Sequence, residues 1–399
     1  MNTDTNPPHL PAAEWTRRAD LARLVATLGP GNLRWVGGAV RDTLLDHPVK
    51  DIDAATPLEP EVVMQALKNA GISCIPTGIA HGTVTAVLAG GPVEITTLRH
   101  DVSTDGRRAT VAFATAWEDD AARRDFTINA LYCDPDTLEL HDYFYGRADL
   151  AEHRVRFIGD ARQRIREDHL RILRYYRFQA RFGATLDAEA EAACAELAPT
   201  LKGLSRERVG SELLNLLSLN DPSATVARMF AAGVLPVILP ETTATQVAAL
   251  AALCGEEARQ QVAPDAVRRL AALVPADAKV AEQVAARLRL SAAQKKRLAT
   301  AAARPACAWT RAEDVRVLAY RQGKEAAIDQ VLLAGQSIAP LIGWDVPAFP
   351  LKGGDIVRRG VGAGPEVARI LRQVEEKWLA EGFPGQDRVM QILEATLPA

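Results

Sequence analysis

The chain has 399 residues, 48% of them apolar and 24% charged, with a net charge of −3 at neutral pH. That length exceeds what one hydrophobic core holds, roughly 250–300 residues, and the composition is that of an ordinary soluble globular protein. No run of about 18 apolar residues occurs, which excludes a membrane-spanning helix. The small net charge does not exclude nucleic acid, because a local basic stripe binds phosphate within an acidic protein.

Met1–Pro11 is polar and contains prolines, without the apolar core of a signal peptide. Cys74, Cys133, Cys194, Cys254 and Cys307 are scattered and never form Cys-x-x-Cys, which speaks against a disulfide framework or a zinc site. A cytoplasmic protein is therefore expected. From Leu33 the chain alternates: a strand at Leu33–Val36, Gly37–Gly38, a helix at Ala39–Leu45, a strand at Lys50–Ala54. Glu59–Ala70 follows as an amphipathic helix with Val62, Val63, Leu67 and Ala70 on one face. Thr83–Leu88 and Val93–Leu98, joined by Ala89-Gly90-Gly91-Pro92, read as a β-hairpin. This order predicts an α+β domain rather than a doubly wound parallel sheet. After Arg154 strand signals cease. Ala161–Phe182 reads as one long helix, and further helices follow, broken at Asn220-Asp221-Pro222, Ala263–Pro264, Pro275 and Pro340–Pro350.

Within the mixed region, Val36-Gly37-Gly38-Ala39-Val40-Arg41-Asp42 is followed closely by Lys50-Asp51-Ile52-Asp53. Residues i and i+2 of a strand share a face, about 6.6 Å apart, so Asp51 and Asp53 can aim both carboxylates at one point. There they can hold two hard cations such as Mg²⁺, of the kind that activate an attacking hydroxyl and stabilise a pyrophosphate leaving group. Gly37 and Gly38 expose backbone N–H groups at a helix start, an anion site for a triphosphate. Arg41, one turn on, adds a charge-assisted phosphate contact. A surface turn with a common glycine pair is the bland alternative for each half of this motif.

Three further segments carry chemistry. Arg123-Arg124-Asp125-Phe126-Thr127-Ile128-Asn129-Ala130-Leu131 includes two arginines and a carboxylate; taken alone, Asp125 reads as a helix cap with Asn129 packed nearby. In Arg166-Glu167-Asp168-His169-Leu170-Arg171-Ile172-Leu173-Arg174-Tyr175-Tyr176-Arg177-Phe178, Asp168, Arg171 and Arg174 recur at i, i+3 and i+6 along one helical stripe. Asp168 can accept from the exocyclic amine of cytosine or adenine while Arg171 donates to ring and carbonyl acceptors; an i,i+3 salt-bridged face is the plain alternative. Thr97-Leu98-Arg99-His100-Asp101-Val102-Ser103-Thr104-Asp105-Gly106-Arg107-Arg108 is polar and charged and reads as a mobile surface loop.

Trp35–Thr56, WVGGAVRDTLLDHPVKDIDAAT, with these segments in this order, resembles the class II tRNA nucleotidyltransferase and bacterial poly(A) polymerase family. The resemblance is close over about residues 33–183 and looser through Arg206–Pro240 and Pro350–Leu379. It implies a polymerase-β-like nucleotidyltransferase head followed by an all-helical neck, body and tail. By it, Asp51 and Asp53 are the metal-holding catalytic residues. Arg124 contacts the nucleotide and Asp125 the ribose, Asp168 and Arg171 act as a protein template for the base, and Arg174 and Arg177 line the nucleotide pocket. The loop at 97–108 helps switch specificity from C to A. His169 stands where many family members have Pro or Ala.

Other features are weaker. Glu94, on the second hairpin strand, stands where the superfamily often has a third carboxylate. His100–Asp101 and His141–Asp142 lack the further ligands of a phosphohydrolase, and His81 beside Gly82 reads as a turn residue. Arg154–Gly183 holds nine arginines against three acids, an excess of six positive charges suited to triphosphate and RNA backbone. From Arg369 on, four basic residues meet five acidic ones, unlike the basic extension that gripping many RNAs favours.

Together these readings predict a head over residues 1–150, a neck with the templating helix over 151–240 and a tRNA-binding body and tail over 241–399. The expected activity is template-independent addition of CCA to tRNA 3′ ends from CTP and ATP with Mg²⁺. No membrane association and no protein partner are implied. The alternatives are a poly(A) polymerase with the same head and a non-catalytic RNA-binding protein.

Overall fold

The computed structural model describes residues 8–79, 82–104, 109–114, 116–304 and 309–397. The chain forms two compact units, Met1–Pro240 and Glu241–Ala399.

The first unit is an α+β head that runs into helices. Its strands are β1 (Arg34–Val36), β2 (Ile52–Thr56), β3 (Ser73–Gly78), β4 (Thr83–Leu88), β5 (Gly91–Thr97), β6 (Arg99–Thr104), β7 (Ala109–Phe113), β8 (Leu131–Cys133) and β9 (Leu140–Asp142). Seven of them make one sheet in the order β3-β4-β5-β2-β1-β8-β9. Among the described residues of this sheet, β2 and β5 run parallel and the other pairs antiparallel. Helices α1 (Ala19–Leu28), α2 (Gly38–Leu44) and α3 (Pro60–Asn69) belong to the same unit. α3 buries Val63 and Leu67, while Val62, placed on the apolar face from the sequence, is 50% exposed.

The expected hairpin forms as β4–β5. The segment expected to be a mobile loop is instead largely a second hairpin, β6–β7, with Arg99 opposite Phe113. Its β-branched content (Val102, Thr104, Thr110, Val111) suits a pleated ribbon better than its charge suggested. Residues 105–108, between the two strands in sequence, lie outside the described residues, as do His81 and Cys307; His100 and Asp101 are described in backbone only, on β6.

Beyond α4 (Trp117–Ala122) and α5 (Gly146–Ala151) the unit continues as helices: α6 (Ala161–Glu167), α7 (Arg171–Phe182), α8 (Ala188–Leu197), α9 (Arg206–Leu217), α10 (Ser223–Ala231) and α11 (Val234–Ile238). The single helix expected over Ala161–Phe182 is broken. Asp168 is extended (φ −148°, ψ 105°), and its Oδ1 accepts from the Leu170 amide at 3.1 Å. A short carboxylate that satisfies the backbone locally in this way competes with helix continuation. α7 packs Phe178 and Tyr175 against Phe126 and Phe157, with the Phe126 and Phe157 rings 4.9 Å apart.

In the second unit the described residues form helices α12 (Ala244–Arg259), α13 (Ala266–Ala272), α14 (Ala278–Arg287), α15 (Ala292–Ala302), α16 (Ala312–Gln322), α17 (Lys324–Leu333), α18 (Gly353–Val357), α19 (Pro365–Ala380) and α20 (Gln386–Glu394). Thr243 with Gln246 and Ser291 with Gln294 form capping boxes that start α12 and α15. Glu257 accepts from Arg268 and Arg269 at 2.8 and 2.7 Å, all three buried. The tail helices close on Trp378, whose indole N–H donates to the Pro384 carbonyl at 2.8 Å. Among the described residues no helix is long and apolar enough to cross a membrane.

Candidate active site

Glycines and aspartates reach one end of the head sheet from different strands. β1 ends at Val36, and Gly37 turns the chain with φ 73° and ψ −122° before α2 begins at Gly38. Side-chain-bearing residues rarely adopt that conformation, which is why a glycine is needed there. Asp53 stands opposite Val36 in the β1–β2 register. Asp51 precedes the strand by one residue, exposed, while Asp53 within β2 is half-buried. On the other side of β2, the parallel register sets Glu94 beside Asp53. Burial, the nearby Glu94 and Asp51 together push the Asp53 carboxyl up to about 6, with Arg124 only partly offsetting them. Among the described residues, no ion pair or side-chain hydrogen bond joins Asp51, Asp53 or Glu94 to a partner, and no set of three or more His, Cys, Asp or Glu side chains is drawn tightly together.

Asp53 borders two cavities. One, of about 430 Å³, is also lined by Glu94, Thr83, Thr96, Arg99, Arg123, Arg124, Asp125, Asp168, Arg171, Arg174 and Arg208. The other, of about 530 Å³, is lined by Gly38, Arg41, Asp42, Lys50, Asp51, Arg177 and Arg181 together with Asn215, Ser218 and Leu219 of α9 and the chain just after it. The structure thus gathers Asp53, Arg124, Asp125, Asp168, Arg171 and Arg174 at one cavity. Gly38, Arg41, Asp51 and Arg177 border its neighbour.

Several of these side chains are tightly held. Asp125 is 8% exposed; its Oδ1 accepts from the Phe126 amide at 2.9 Å and from Asn129 Nδ2 at 3.0 Å, and its Oδ2 accepts from Arg174 Nε at 2.8 Å. Burial works against the charge, but Arg174 and Asn129 prevail and hold the carboxyl down at about 2. No side chain caps the 3₁₀ turn Thr127–Asn129 that follows, so the helix-cap alternative for Asp125 is not realised. Asn129 also accepts from Arg41, whose Nε donates to Asp42 at 2.9 Å and whose guanidinium lies 4.4 Å from the Phe182 ring centre. Arg41 is buried and held by Asp42 and Asn129 at the wall of the second cavity.

The break at Asp168 changes the expected stripe. Asp168 lies ahead of α7, with Arg171 and Arg174 in its first turn. Asp168 does not pair with Arg171; its Oδ2 accepts from Arg208 of α9 at 2.7 Å. Arg171 donates to Glu167 at 2.8 Å, to the Arg164 carbonyl at 2.9 Å and to the Arg123 carbonyl at 3.0 Å. Arg177 donates to Glu212 at 2.7 Å. On the head side, Arg124 donates to the Tyr132 hydroxyl at 3.0 Å and to Asp120 at 3.1 Å, and Tyr132 donates to Asp120 at 2.6 Å. Asp120 is buried, which raises its carboxyl, yet Arg124 and Arg123 together bring it below the ordinary range.

Sequence reading missed Asp120, Tyr132, Arg208 and Glu212. A charged or hydroxyl residue facing a helix or strand interior is the only local signal any of them offers. On β9, His141 pairs with Tyr132 of β8, and Asp142 accepts from the Gly146 amide at 2.8 Å and the Arg147 amide at 2.9 Å, starting α5.

Half-buried acidic oxygens beside a glycine turn, facing cavities rimmed with guanidinium groups, are suited to activated phosphates, and on an α+β head they mark a nucleotidyltransferase. Residues 33–156 match the family "Poly A polymerase head domain" and residues 183–245 the family "Probable RNA and SrmB- binding site of polymerase A". The chain is 36% identical over 389 residues to "CCA tRNA nucleotidyltransferase 1, mitochondrial" of Mus musculus, which covers 91% of this chain and 87% of that relative. The Homo sapiens protein of the same name is 34% identical over 386 residues, with the same coverage of 91% and 87%. The solved structure of the Bacillus stearothermophilus CCA-adding enzyme in complex with CTP aligns with a TM-score of 0.73 at 26% identity, covering 94% of this chain and 96% of that one. The chain belongs to the CCA tRNA nucleotidyltransferase family.

Proposed function

We propose that this protein adds C, C and A to tRNA 3′ ends from CTP and ATP, and that residues 1–150, 151–240 and 241–399 serve as head, neck and tRNA-binding body and tail. The observation that carries the reading is the single cavity shared by Asp53, Asp125, Asp168 and Arg171. The same wall can read the base, hold the ribose and meet the reacting phosphate. Asp168 accepts from the exocyclic amine of C or A, and Arg171 donates to the ring acceptors. Asp125 accepts from the ribose 2′-hydroxyl. Arg124, Arg174 and Arg177 contact the nucleotide, and the N–H groups at Gly37 and Gly38 take its phosphates, with Arg41 adding positive charge behind them. Taking up a base edge requires Asp168 to exchange its Arg208 partner.

Asp51 and Asp53 fit Mg²⁺: hard carboxylate oxygens, with the Asp53 carboxyl raised by burial and by the neighbouring charges of Glu94 and Asp51. Glu94 is placed to support them. Bound there, Mg²⁺ supplies Lewis-acid activation of the 3′-hydroxyl and charge neutralisation of the departing pyrophosphate. The residues orient the α-phosphate for in-line attack, and no side-chain base is required. The cysteines are scattered along the sequence with no Cys-x-x-Cys pair, which supports a reducing compartment such as the cytoplasm.

The test is to incubate the protein and Mg²⁺ with tRNA transcripts lacking CCA, with CTP, ATP or both, and to sequence the 3′ ends. Growth by C-C-A followed by a stop is the expected result. Stopping at C-C makes it a partial enzyme, long A tracts make it a poly(A) polymerase, and no extension favours an RNA-binding protein.

A further inference from the structure

The turn that presents Asp168 is built from side chains as much as from backbone. α6 ends at Glu167, and Asp168 leaves the helix extended. Had the helix continued, the Ile165 carbonyl would accept from the backbone amide of residue 169. The exit at Asp168 swings that amide away, and the ring of the same residue takes its place: His169 Nδ1 lies 2.9 Å from the Ile165 oxygen. A neutral ring carrying its proton on Nδ1 donates this bond. The preceding carbonyl, Arg164, accepts from Arg171 Nη1 at 2.9 Å. The Arg164 carbonyl also keeps the Asp168 backbone amide as a donor, so it is the Ile165 carbonyl that loses its helical donor at the break and is capped by the His169 ring. Leu170, 6% exposed, anchors the far side of the turn.

We propose that His169 is a positioning residue for base selection. By capping α6 at Ile165 it holds the 167–170 turn, and through it the direction in which Asp168 offers its carboxylate. The inference rests on Asp168 being the base reader. A capping bond of this kind is worth about a fivefold change in an equilibrium between turn conformations. His169→Leu, which keeps the bulk and removes the donor, is expected to reduce selectivity for CTP over UTP, and for ATP over GTP, by about fivefold. The loss should appear in KM for the correct nucleotide more than in kcat. His169→Asn, whose amide can donate to the same carbonyl, should restore most of it.

The experiment measures single-nucleotide incorporation on tRNA ending in C-C and on tRNA lacking all three nucleotides, for His169→Leu, His169→Asn and Asp168→Ala side by side. Lost selectivity in His169→Leu with recovery in His169→Asn supports the proposal. Unchanged selectivity in His169→Leu, while Asp168→Ala loses it, overturns the role of His169 alone. Unchanged selectivity in Asp168→Ala overturns the base-reading assignment and the proposal with it. Equal losses in His169→Leu and His169→Asn overturn the capping explanation.

Discussion

Asp53 of β2 and Glu94 of β5 stand side by side across the parallel strand pair β2–β5 of the head sheet. The two carboxylates face the same cavity, and burial, Glu94 and Asp51 raise the Asp53 carboxyl to about 6. Burial and like charge therefore both work against the ionised form of Asp53 at this point of the fold.

The first expectation concerns Asp53→Asn. Incorporation should be abolished, and thermal stability at pH 7.5 should rise. Moving a carboxyl from its ordinary 3.8 to about 6 corresponds to at most about 3 kcal/mol, less what water access screens. The raised acid contributes its stability below pH about 4 and loses it as pH rises through about 6. The advantage of the variant should accordingly vanish in melts recorded at pH 4, and saturating Mg²⁺ should narrow it at pH 7.5.

Glu94→Gln removes one like charge next to Asp53. The Asp53 carboxyl should titrate below about 6 in this variant, moving the acid limb of the kcat/KM profile to lower pH. If Glu94 also supports the cations, the Mg²⁺ concentration needed for half-maximal rate should rise about tenfold, a loss of about 1.4 kcal/mol. A pH–rate series at several Mg²⁺ concentrations separates the two effects.

Asp168→Ala and Arg171→Ala should each blur the choice among C, A, U and G by roughly 5- to 150-fold, the value of about 1–3 kcal/mol per bidentate base contact. Competition assays with mixed nucleotides and 3′-end sequencing read this directly. Retained C/A selectivity in both variants would remove the template role.

Arg174→Gln leaves the Asp125 carboxylate buried with its main counter-charge gone, a situation that costs about 3–5 kcal/mol. The sign is opposite to that of Asp53. A carboxyl held at about 2 gives stability above pH about 4 and loses it as pH falls toward 2. The variant should therefore be most destabilised near neutral pH and approach the parent in denaturant titrations near pH 2, provided both remain folded. Discrimination between ribo- and deoxyribonucleotides should fall in the same variant.

Much of this protein is written in short-range sequence. Gly37 must take a backbone conformation that side chains resist, so the turn into α2 is marked locally. The alternation around Asp53 puts it on a strand, the Gly-containing link between Leu88 and Val93 closes a hairpin, and the helical periods after Arg154 exclude further sheet. The motif order from Trp35 to Phe178 adds the family. What periodicity cannot convey is pairing between distant segments. Glu94 adjoins Asp53 only because β5 inserts parallel to β2, and Arg208 reaches Asp168 only when α9 packs nearby, 40 residues further along the chain. The helical period also ran straight through Asp168, because a hydrophobic pattern records which face is buried and not where one carboxylate captures a backbone amide. The sequence by itself determined which groups could do chemistry and on which elements they lie. The tertiary structure alone decided which of their charges are neutralised, as at Asp125, and which are opposed by burial and like charge, as at Asp53, because burial and long-range partners set the free energy of a charge and neither is a local property.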